Sequence, residues 1–394
     1  MPAILIEGWR FLPQSYALVN QYQCLELLHR TELDLYHHDA PVYPSWTVQR
    51  GLFGSAQEDQ LATLSVAPPD TDLDAVLRIY SPFNFGTSRA SHTCVFITCE
   101  MGTVPPAFLG SVRLRDAVAN SDVTLITPSL WSAQGLVHDG ADGSRIHVVP
   151  HGVDVDVYHP LESEQRMALR KRLGCHGQFV FLNTSAMTSN KGIALLLQAF
   201  ARVVARHPQS RLMLKGLDSL YRSQELLRSI AQGLTPAEWR LIQPRIGYLG
   251  GNLTQHGMAE LYQAADVYVS PYLGEGFNLP VLEAMACGLP AICTKGGSTE
   301  DFITSETALR IESTLQIVTT PEGQEQYYLA PSLEHLTDLM IRTIENDTVR
   351  HVAHDAGPAH VRAKYTWRHV VDQLLDVLLR RQGKGRQGYS AETE

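Results

Sequence analysis

The sequence predicts an α/β protein of two domains, each a parallel sheet with helices on its faces. Three observations lead there. The chain has 394 residues, more than one hydrophobic core usually serves, so two domains of roughly 150 to 200 residues each are expected. Short apolar runs bounded by Pro, Gly, Ser or Asn alternate with stretches of helical periodicity, and strands alternating with helices build parallel sheets. The alternation comes in two series, which part within residues 160–174.

In the first series, residues 3–6 are a buried strand followed by Gly8, and 16–28 place Leu18, Val19, Tyr22, Leu25 and Leu28 at helical spacing. Further strands are expected at 75–80, 93–98, 123–127 and 146–149, with a helical stretch at 111–119. The joining segment carries Glu162, Glu164, Arg166, Arg170, Lys171 and Arg172 and reads as a solvated helix. The second series runs strand 179–183, helix 193–206, strand 211–215, helix 221–232 and strand 246–249. Helix 256–265, strand 267–270, helix 280–286 and strand 290–294 complete it. A last amphipathic stretch, 367–379, precedes a polar tail that begins Arg380-Arg381-Gln382-Gly383, for which disorder is the expectation. Two domains of similar size suggest a cleft between them in which a ligand sits.

Composition narrows the function classes. Hydrophobic residues make up 44% and charged residues 19%, the balance of a soluble globular chain. A net charge of −9 argues against a nucleic-acid partner, which calls for a basic excess, and leaves at most peripheral membrane contact. The N-terminus has neither a basic region nor a long apolar run, so no signal peptide is expected. No segment approaches the roughly 20 apolar residues of a membrane span. None of the six cysteines, Cys24, Cys94, Cys99, Cys175, Cys287 and Cys293, forms a C-x-x-C pair; reduced, buried thiols and a cytoplasmic location are expected. His37-His38 and the pair His351 and His354 lack a Cys or carboxylate cluster at ligand spacing, so they read as surface histidines and no metal site is expected.

The chemistry concentrates in residues 266–294. Val267-Tyr268-Val269-Ser270 reads as a buried strand stopped by Pro271. A loop with two glycines, 272–278, leads into a helix whose first turn suits Pro280 and whose end is marked by Gly288 and Pro290. Ligands of open α/β sheets bind beyond the carboxyl ends of the strands, and free N–H groups at a helix start favour phosphate. Glu275 lies in that loop, facing whatever lies beyond the phosphate. Glu283 lies about one turn inside the helix, placed to accept hydrogen bonds from a ribose diol. Taken singly, each has a plainer reading: Glu275 as a helix cap, Glu283 as a solvated side chain. The conjunction of strand, glycine loop, paired Glu, starting Pro and closing Gly is what makes the segment specific.

Glu275 and Glu283, within Glu275-Gly276-Phe277-Asn278-Leu279-Pro280-Val281-Leu282-Glu283, resemble the E-x7-E motif of retaining glycosyltransferases of the GT-B fold, and in particular glycosyltransferase family 4 (glycosyl transferases group 1). Other segments resemble the family in order. They are Pro128-Ser129-Leu130-Trp131, Val149-Pro150-His151-Gly152-Val153-Asp154 with Tyr158-His159-Pro160, Asn190-Lys191-Gly192, and Gly296-Gly297-Ser298-Thr299-Glu300. The resemblance covers roughly residues 120 to 380.

That resemblance implies a fold and roles. The fold is GT-B: two Rossmann-like parallel-sheet domains facing a central cleft, with a C-terminal helix crossing back to the first domain. Residues 1–170 would form the acceptor domain, 171–365 the nucleotide-sugar donor domain, 366–382 the returning helix and 383–394 the tail. Lys191 would neutralise the donor diphosphate, and Glu275 would hold hydroxyls of the transferred sugar. Backbone N–H groups of Gly276, Phe277, Asn278 and Leu279 would hold phosphate and sugar oxygens, and Glu283 the ribose. Gly8 would let the diphosphate or acceptor approach, and the base would lie near Gly216, Tyr248 and Leu249. Transfer would be retaining and metal-independent, with a UDP- or GDP-sugar as co-substrate, no other cofactor, and a glycan, lipid-linked or protein acceptor. Homo-oligomerisation is left open. Trp9, Trp46 and Trp131 read as packing residues, Trp9 being the one placed to stack on an acceptor sugar.

Two departures from the family stand out. Ala186 occupies the place of an arginine about five residues before Lys191. Ser185, Thr188 or Ser189 would then donate instead, though a neutral donor is weaker than a charged one. Glu100 occupies the place of a histidine; it would touch donor or acceptor hydroxyls, or else cap a helix. Two alternatives stay beside the hexosyltransferase reading: a catalytically weak nucleotide-sugar-binding partner subunit, which Ala186 favours, and a phosphorylase or epimerase on the same fold. A glycoside hydrolase would need carboxylates flanking a glycosidic bond, and would give the phosphate-type loop no purpose.

Overall fold

The computed structural model describes residues 1–320 and 323–380. The expected tail 383–394, and the end of the expected helix span 366–382, lie outside the described residues. The chain divides into two compact units. Unit 1 comprises Met1–Gly152, Val318–Tyr327 and the chain from Trp367; unit 2 comprises Val153–Ile317 and Tyr328–Thr366.

Unit 1 carries β1 (Ala3–Gly8), α1 (Ser15–Leu28), β2 (Asp34–Asp39), α2 (Ser55–Thr63), β3 (Ala75–Ile79) and β4 (His92–Phe96). It continues with α3 (Leu114–Val118), β5 (Thr124–Thr127), α4 (Leu130–His138) and β6 (Ile146–Val148). The strands form one sheet in the order β2-β1-β3-β4-β5-β6, with parallel pairing throughout. Every residue of β3 is buried. β2 is one of the elements that periodicity missed: Asp34-Leu35-Tyr36-His37-His38-Asp39 is polar because it is an edge strand, held by its ladder to β1 rather than by two buried faces. His37 nevertheless turns inward. It is 1% exposed and its Nε2 lies 2.9 Å from Asn20 Nδ2, which corrects the surface reading of that histidine.

Unit 2 carries α5 (Ser163–Arg172), β7 (Phe179–Thr184), α6 (Ile193–Arg206), β8 (Ser210–Lys215), α7 (Asp218–Tyr221), α8 (Ser223–Ala231), α9 (Pro236–Ile242) and β9 (Ile246–Leu249). After these come α10 (Gln255–Ala264), β10 (Val267–Ser270), α11 (Leu279–Ala286), β11 (Ala291–Thr294) and β12 (Ala308–Ile311). A hairpin of β13 (Ser313–Thr319) and β14 (Glu325–Pro331), whose residues within Val318–Tyr327 count with unit 1, precedes α12 (Leu333–Glu345) and α13 (Asp347–Lys364). The main sheet has the order β12-β11-β10-β7-β8-β9 and is parallel. β7 and β10 are adjacent but far apart in sequence, so the strand order reverses there, the place where such sheets bind ligands. α6 buries Ile193, Leu196, Leu197, Phe200, Val203 and Val204 against one sheet face, a stripe at the helical period.

The final helix, α14 (Trp367–Leu378), belongs to unit 1. Val370, Val371, Leu374 and Leu375 join the core of β1, β3 and α1, and Trp367 stacks on Tyr22 with ring centroids 5.1 Å apart. The charged α5 is largely the solvated helix expected, but two of its arginines turn inward. Arg166 and Arg170 both reach Asp266, Arg170 also reaches the Ala264 and Gln178 carbonyls, and it is only 8% exposed. All six cysteines are reduced and buried. No described helix is long and apolar enough to cross a membrane.

Candidate functional site

The site segment is built where β10 ends. Ser270 and Pro271 close the strand, and Asn278 takes a left-handed conformation (φ 72°) as the N-cap of α11. Its side-chain amide donates to Ser270 Oγ at 2.9 Å, which ties the loop's last residue back to the end of β10. Pro280 falls in the first turn, where its missing N–H costs nothing. Phe277 is buried against Phe302, 4.8 Å between ring centroids, so it anchors the loop through its side chain. Gly276 and Asn278 are buried beside it, and Leu279 is half-buried.

The loop after β7 is laced to this segment. Asn190 Nδ2 donates to the Gly274 carbonyl at 3.0 Å, and the Leu273 N–H to the Asn190 carbonyl at 2.7 Å. Gly192 is left-handed (φ 68°), and a Cβ there would stand 1.9 Å from the Pro271 carbonyl oxygen, so only glycine lets the two loops touch. The contact delivers Lys191 to Glu275: Nζ and Oε1 are 2.9 Å apart, with side chains 17% and 13% exposed. The two residues singled out from opposite ends of the motif set are an ion pair. Ser185 donates its hydroxyl proton to Asn183 Oδ1 at 2.9 Å and Thr188 donates to Asn190 Oδ1 at 2.7 Å. Both hydroxyls are thus spent within the loop rather than held out.

Glu283 is not a solvated helix side chain. It is 9% exposed, and Tyr262 donates its hydroxyl proton to Glu283 Oε2 at 2.6 Å. Burial pushes the Glu283 carboxyl up to about 7, against the pull of the Tyr262 and Tyr158 hydroxyls. Sequence reasoning missed these partners, as well as Thr184, whose Oγ1 lies 3.0 Å from Tyr262 OH, and Tyr268, 3.3 Å from the same Oγ1.

Gly216, Tyr248 and Leu249 come together at the ends of β8 and β9. A Cβ on Gly216 would meet Tyr248 OH at 2.3 Å, Tyr248 donates to Asp218 Oδ1 at 2.6 Å, and the Gly216 N–H donates to the Leu249 carbonyl at 2.9 Å. Lys215, also unforeseen, ends β8 only 6% exposed; its ammonium donates to the Gly216 carbonyl, and burial lowers its pKa to about 8.

Gly8 and Glu100 lie in unit 1. A Cβ on Gly8 would come within 2.8 Å of Asn20 Nδ2 and Ile79 Cγ2, so packing beneath β1 already demands glycine. Glu100 is half-buried in a bend, not at a helix start, and its carbonyl accepts the Trp131 Nε1–H at 2.9 Å. Trp9 is 1% exposed and its Nε1–H is given to the Pro41 carbonyl, so it is a core residue; Trp46, half-buried at its edge 5.3 Å between centroids, carries the accessible ring. Among the described residues no group of three His, Cys, Asp or Glu side chains is placed to hold a metal.

The profile of one protein family, glycosyl transferases group 1, matches residues 178–327, which includes both loops and Glu283. Residues 178–327 belong to the glycosyl transferases group 1 family. The chain is 27% identical, over 58% of its length, to a GDP-mannose-dependent monoacylated alpha-(1-6)-phosphatidylinositol monomannoside mannosyltransferase of Corynebacterium glutamicum. It is 29% identical, over 69% of its length, to a D-inositol 3-phosphate glycosyltransferase of Stackebrandtia nassauensis. It spans 55% and 57% of those relatives' own lengths. Anabaena HepE, crystallised with UDP-glucose, shares the fold at a TM-score of 0.68 and 15% identity, covering 96% of this chain and 99% of that one. The group 1 resemblance read from the sequence, and the GT-B architecture of two Rossmann-like parallel sheets, are both borne out.

Proposed function

We propose that the protein is a retaining, metal-independent hexosyltransferase that moves a sugar from a UDP-glucose- or GDP-mannose-type donor to a glycan, lipid-linked or protein acceptor. The observation that carries this reading is the Lys191–Glu275 ion pair at 2.9 Å, set beside the start of α11 with Glu283 one turn inside. The named activities of the mannosyltransferase relative and the UDP-glucose bound to the structural neighbour support a nucleotide-sugar donor. In this reading residues 171–365 take the donor and 1–170 the acceptor, with Gly8 letting the diphosphate or acceptor approach and Glu100 touching donor or acceptor hydroxyls.

The reaction breaks the bond between the anomeric carbon and the donor phosphate oxygen and forms a bond to an acceptor hydroxyl oxygen. On the retaining front-face path the acceptor proton passes to the departing phosphate, so no protein nucleophile is required. Lys191 and the N–H groups of 276–279 stabilise the charge that grows on the diphosphate, an electrostatic contribution made by groups already in place. The arriving diphosphate takes the Lys191 ammonium, and Glu275 is released to the hydroxyls of the sugar. Glu283 takes the ribose, and the base lies over Gly216, Tyr248 and Leu249. Ser185 supports the phosphate once its hydroxyl leaves Asn183. A partner subunit that binds donor without turning it over is the second reading, favoured by Ala186.

A panel of nucleotide sugars, with and without acceptors, tests both by nucleotide release. Lys191→Ala and Glu275→Ala are expected to lower turnover about 100-fold or more, and a chelator to change nothing. Unchanged release in both variants rejects this site; donor held by the native protein without turnover selects the partner-subunit reading.

A further inference from the structure

We propose that Tyr262 is the positioning residue for ribose recognition: it fixes one oxygen of the Glu283 carboxylate so that the group meets the vicinal hydroxyls of the donor ribose in a set orientation. The inference rests on the assignment of Glu283 to the ribose. Four hydroxyl-bearing or carboxylate side chains from four different elements form one buried chain. Tyr268 on β10 lies 3.3 Å from Thr184 Oγ1 at the end of β7, and Thr184 Oγ1 lies 3.0 Å from Tyr262 OH on α10. Tyr262 OH in turn donates to Glu283 Oε2 on α11 at 2.6 Å. Because Tyr262 has a single proton and gives it to the carboxylate, its oxygen is left to accept from Thr184. From Thr184 onward the bonds then run in one direction and polarise one another toward Glu283, while Tyr268 donates to the Thr184 carbonyl at 3.3 Å.

The order of these elements explains why the chain aims the carboxylate rather than merely burying it. Thr184 and Tyr268 belong to strands that pair directly, β7 with β10, at the point where the strand order reverses. Both tyrosines are fully buried, Tyr262 at 0% and Tyr268 at 1% exposure, so neither hydroxyl has water as an alternative partner. A Glu side chain has three rotatable bonds before its carboxylate; held at Oε2, it keeps one rotamer at no further cost when ligand arrives. Ribose hydroxyls are donors and the carboxylate is an acceptor-only group, so a carboxylate locked in place discriminates a ribose from a sugar lacking those hydroxyls.

The test is the affinity of UDP and GDP against their 2′,3′-dideoxy counterparts, by calorimetry, for the native protein and for Tyr262→Phe, Thr184→Val and Glu283→Gln. The native protein is expected to prefer the ribonucleotide about tenfold or more, because a site built to hold hydroxyls penalises their loss. Tyr262→Phe should reduce that preference to about threefold or less, and Thr184→Val to an intermediate value, with dideoxynucleotide affinity left near the native one. A merely structural role would weaken both ligands alike and leave the ratio unchanged, and that outcome overturns the proposal. If Tyr262→Phe fails to fold, Thr184→Val decides by the same ratio. A native protein without preference, or a Glu283→Gln that keeps it, overturns the ribose assignment itself and is told apart by failing before Tyr262 is altered.

Discussion

Burial makes the charge of Glu283 a property of the fold. Its carboxyl stands near 7 when folded against an ordinary 4.5, so between those pH values the folded protein binds more protons than the unfolded chain. Its stabilising contribution is therefore complete below about pH 4.5 and is lost as pH rises through about 7. At roughly 1.4 kcal/mol per unit, the loss is about 3 kcal/mol. His151 acts in the opposite sense: burial lowers it to about 3, so its contribution is present above 6.5 and lost as pH falls. The clean measurement is thus a difference. Between pH 4.5 and 8, urea unfolding should show native stability falling by about 3 kcal/mol relative to Glu283→Gln; a pH-independent difference would refute a buried, protonatable Glu283. The position of Glu283 was legible in its spacing from Glu275, whereas its burial was not. Burial depends on Tyr158, in the turn before α5, and Tyr262, on α10, which carry no local mark of their purpose.

At the scale of the element, α5 shows where sequence patterning stops. Its existence and its mostly exposed surface followed from its composition, and its two inward arginines did not. Arg166 and Asp266 are 100 positions apart, and no local pattern reports that Asp266 Oδ2 also accepts the Val180 N–H at 2.8 Å. The two arginines therefore fasten α5 to the end of α10 and the start of β7 together. Arg170→Met should cost about 2 to 4 kcal/mol in urea unfolding, because it leaves Asp266 half-compensated and the carbonyls of Ala264, Cys175 and Gln178 without their donor. Lys171→Met, one residue on and exposed, should stay within about 0.5 kcal/mol; equal effects would mean that α5 is held by nothing more than its surface. β2 and the β13–β14 hairpin escaped for a related reason. An edge strand and a two-stranded hairpin draw on ladder bonds rather than on an apolar run, and β13 leaves Leu315 and Ile317 exposed.

For the whole molecule, the apolar strands that could be read directly are those buried on both faces, β3, β7, β10 and β11 among them, because such strands need no alternation. The two sheets followed from them, and with the sheets the reversal between β7 and β10 where the candidate site is built. The same burial also governs the cysteines. Cys24, Cys94 and Cys99 fall in unit 1, and Cys175, Cys287 and Cys293 in unit 2. Burial pushes Cys24, Cys94 and Cys293 up to about 12 and raises the others as well, so the native thiols are inert to alkylation until the surrounding structure opens. Pulsed iodoacetamide labelling across a urea series, read by peptide mass spectrometry, should therefore mark the cysteines in two sets of three, one per unit. Sets that mix residues of the two units would contradict the division. The chain thus carries, in thiols that take no part in the proposed chemistry, a built-in clock that times the opening of each half without any engineered probe.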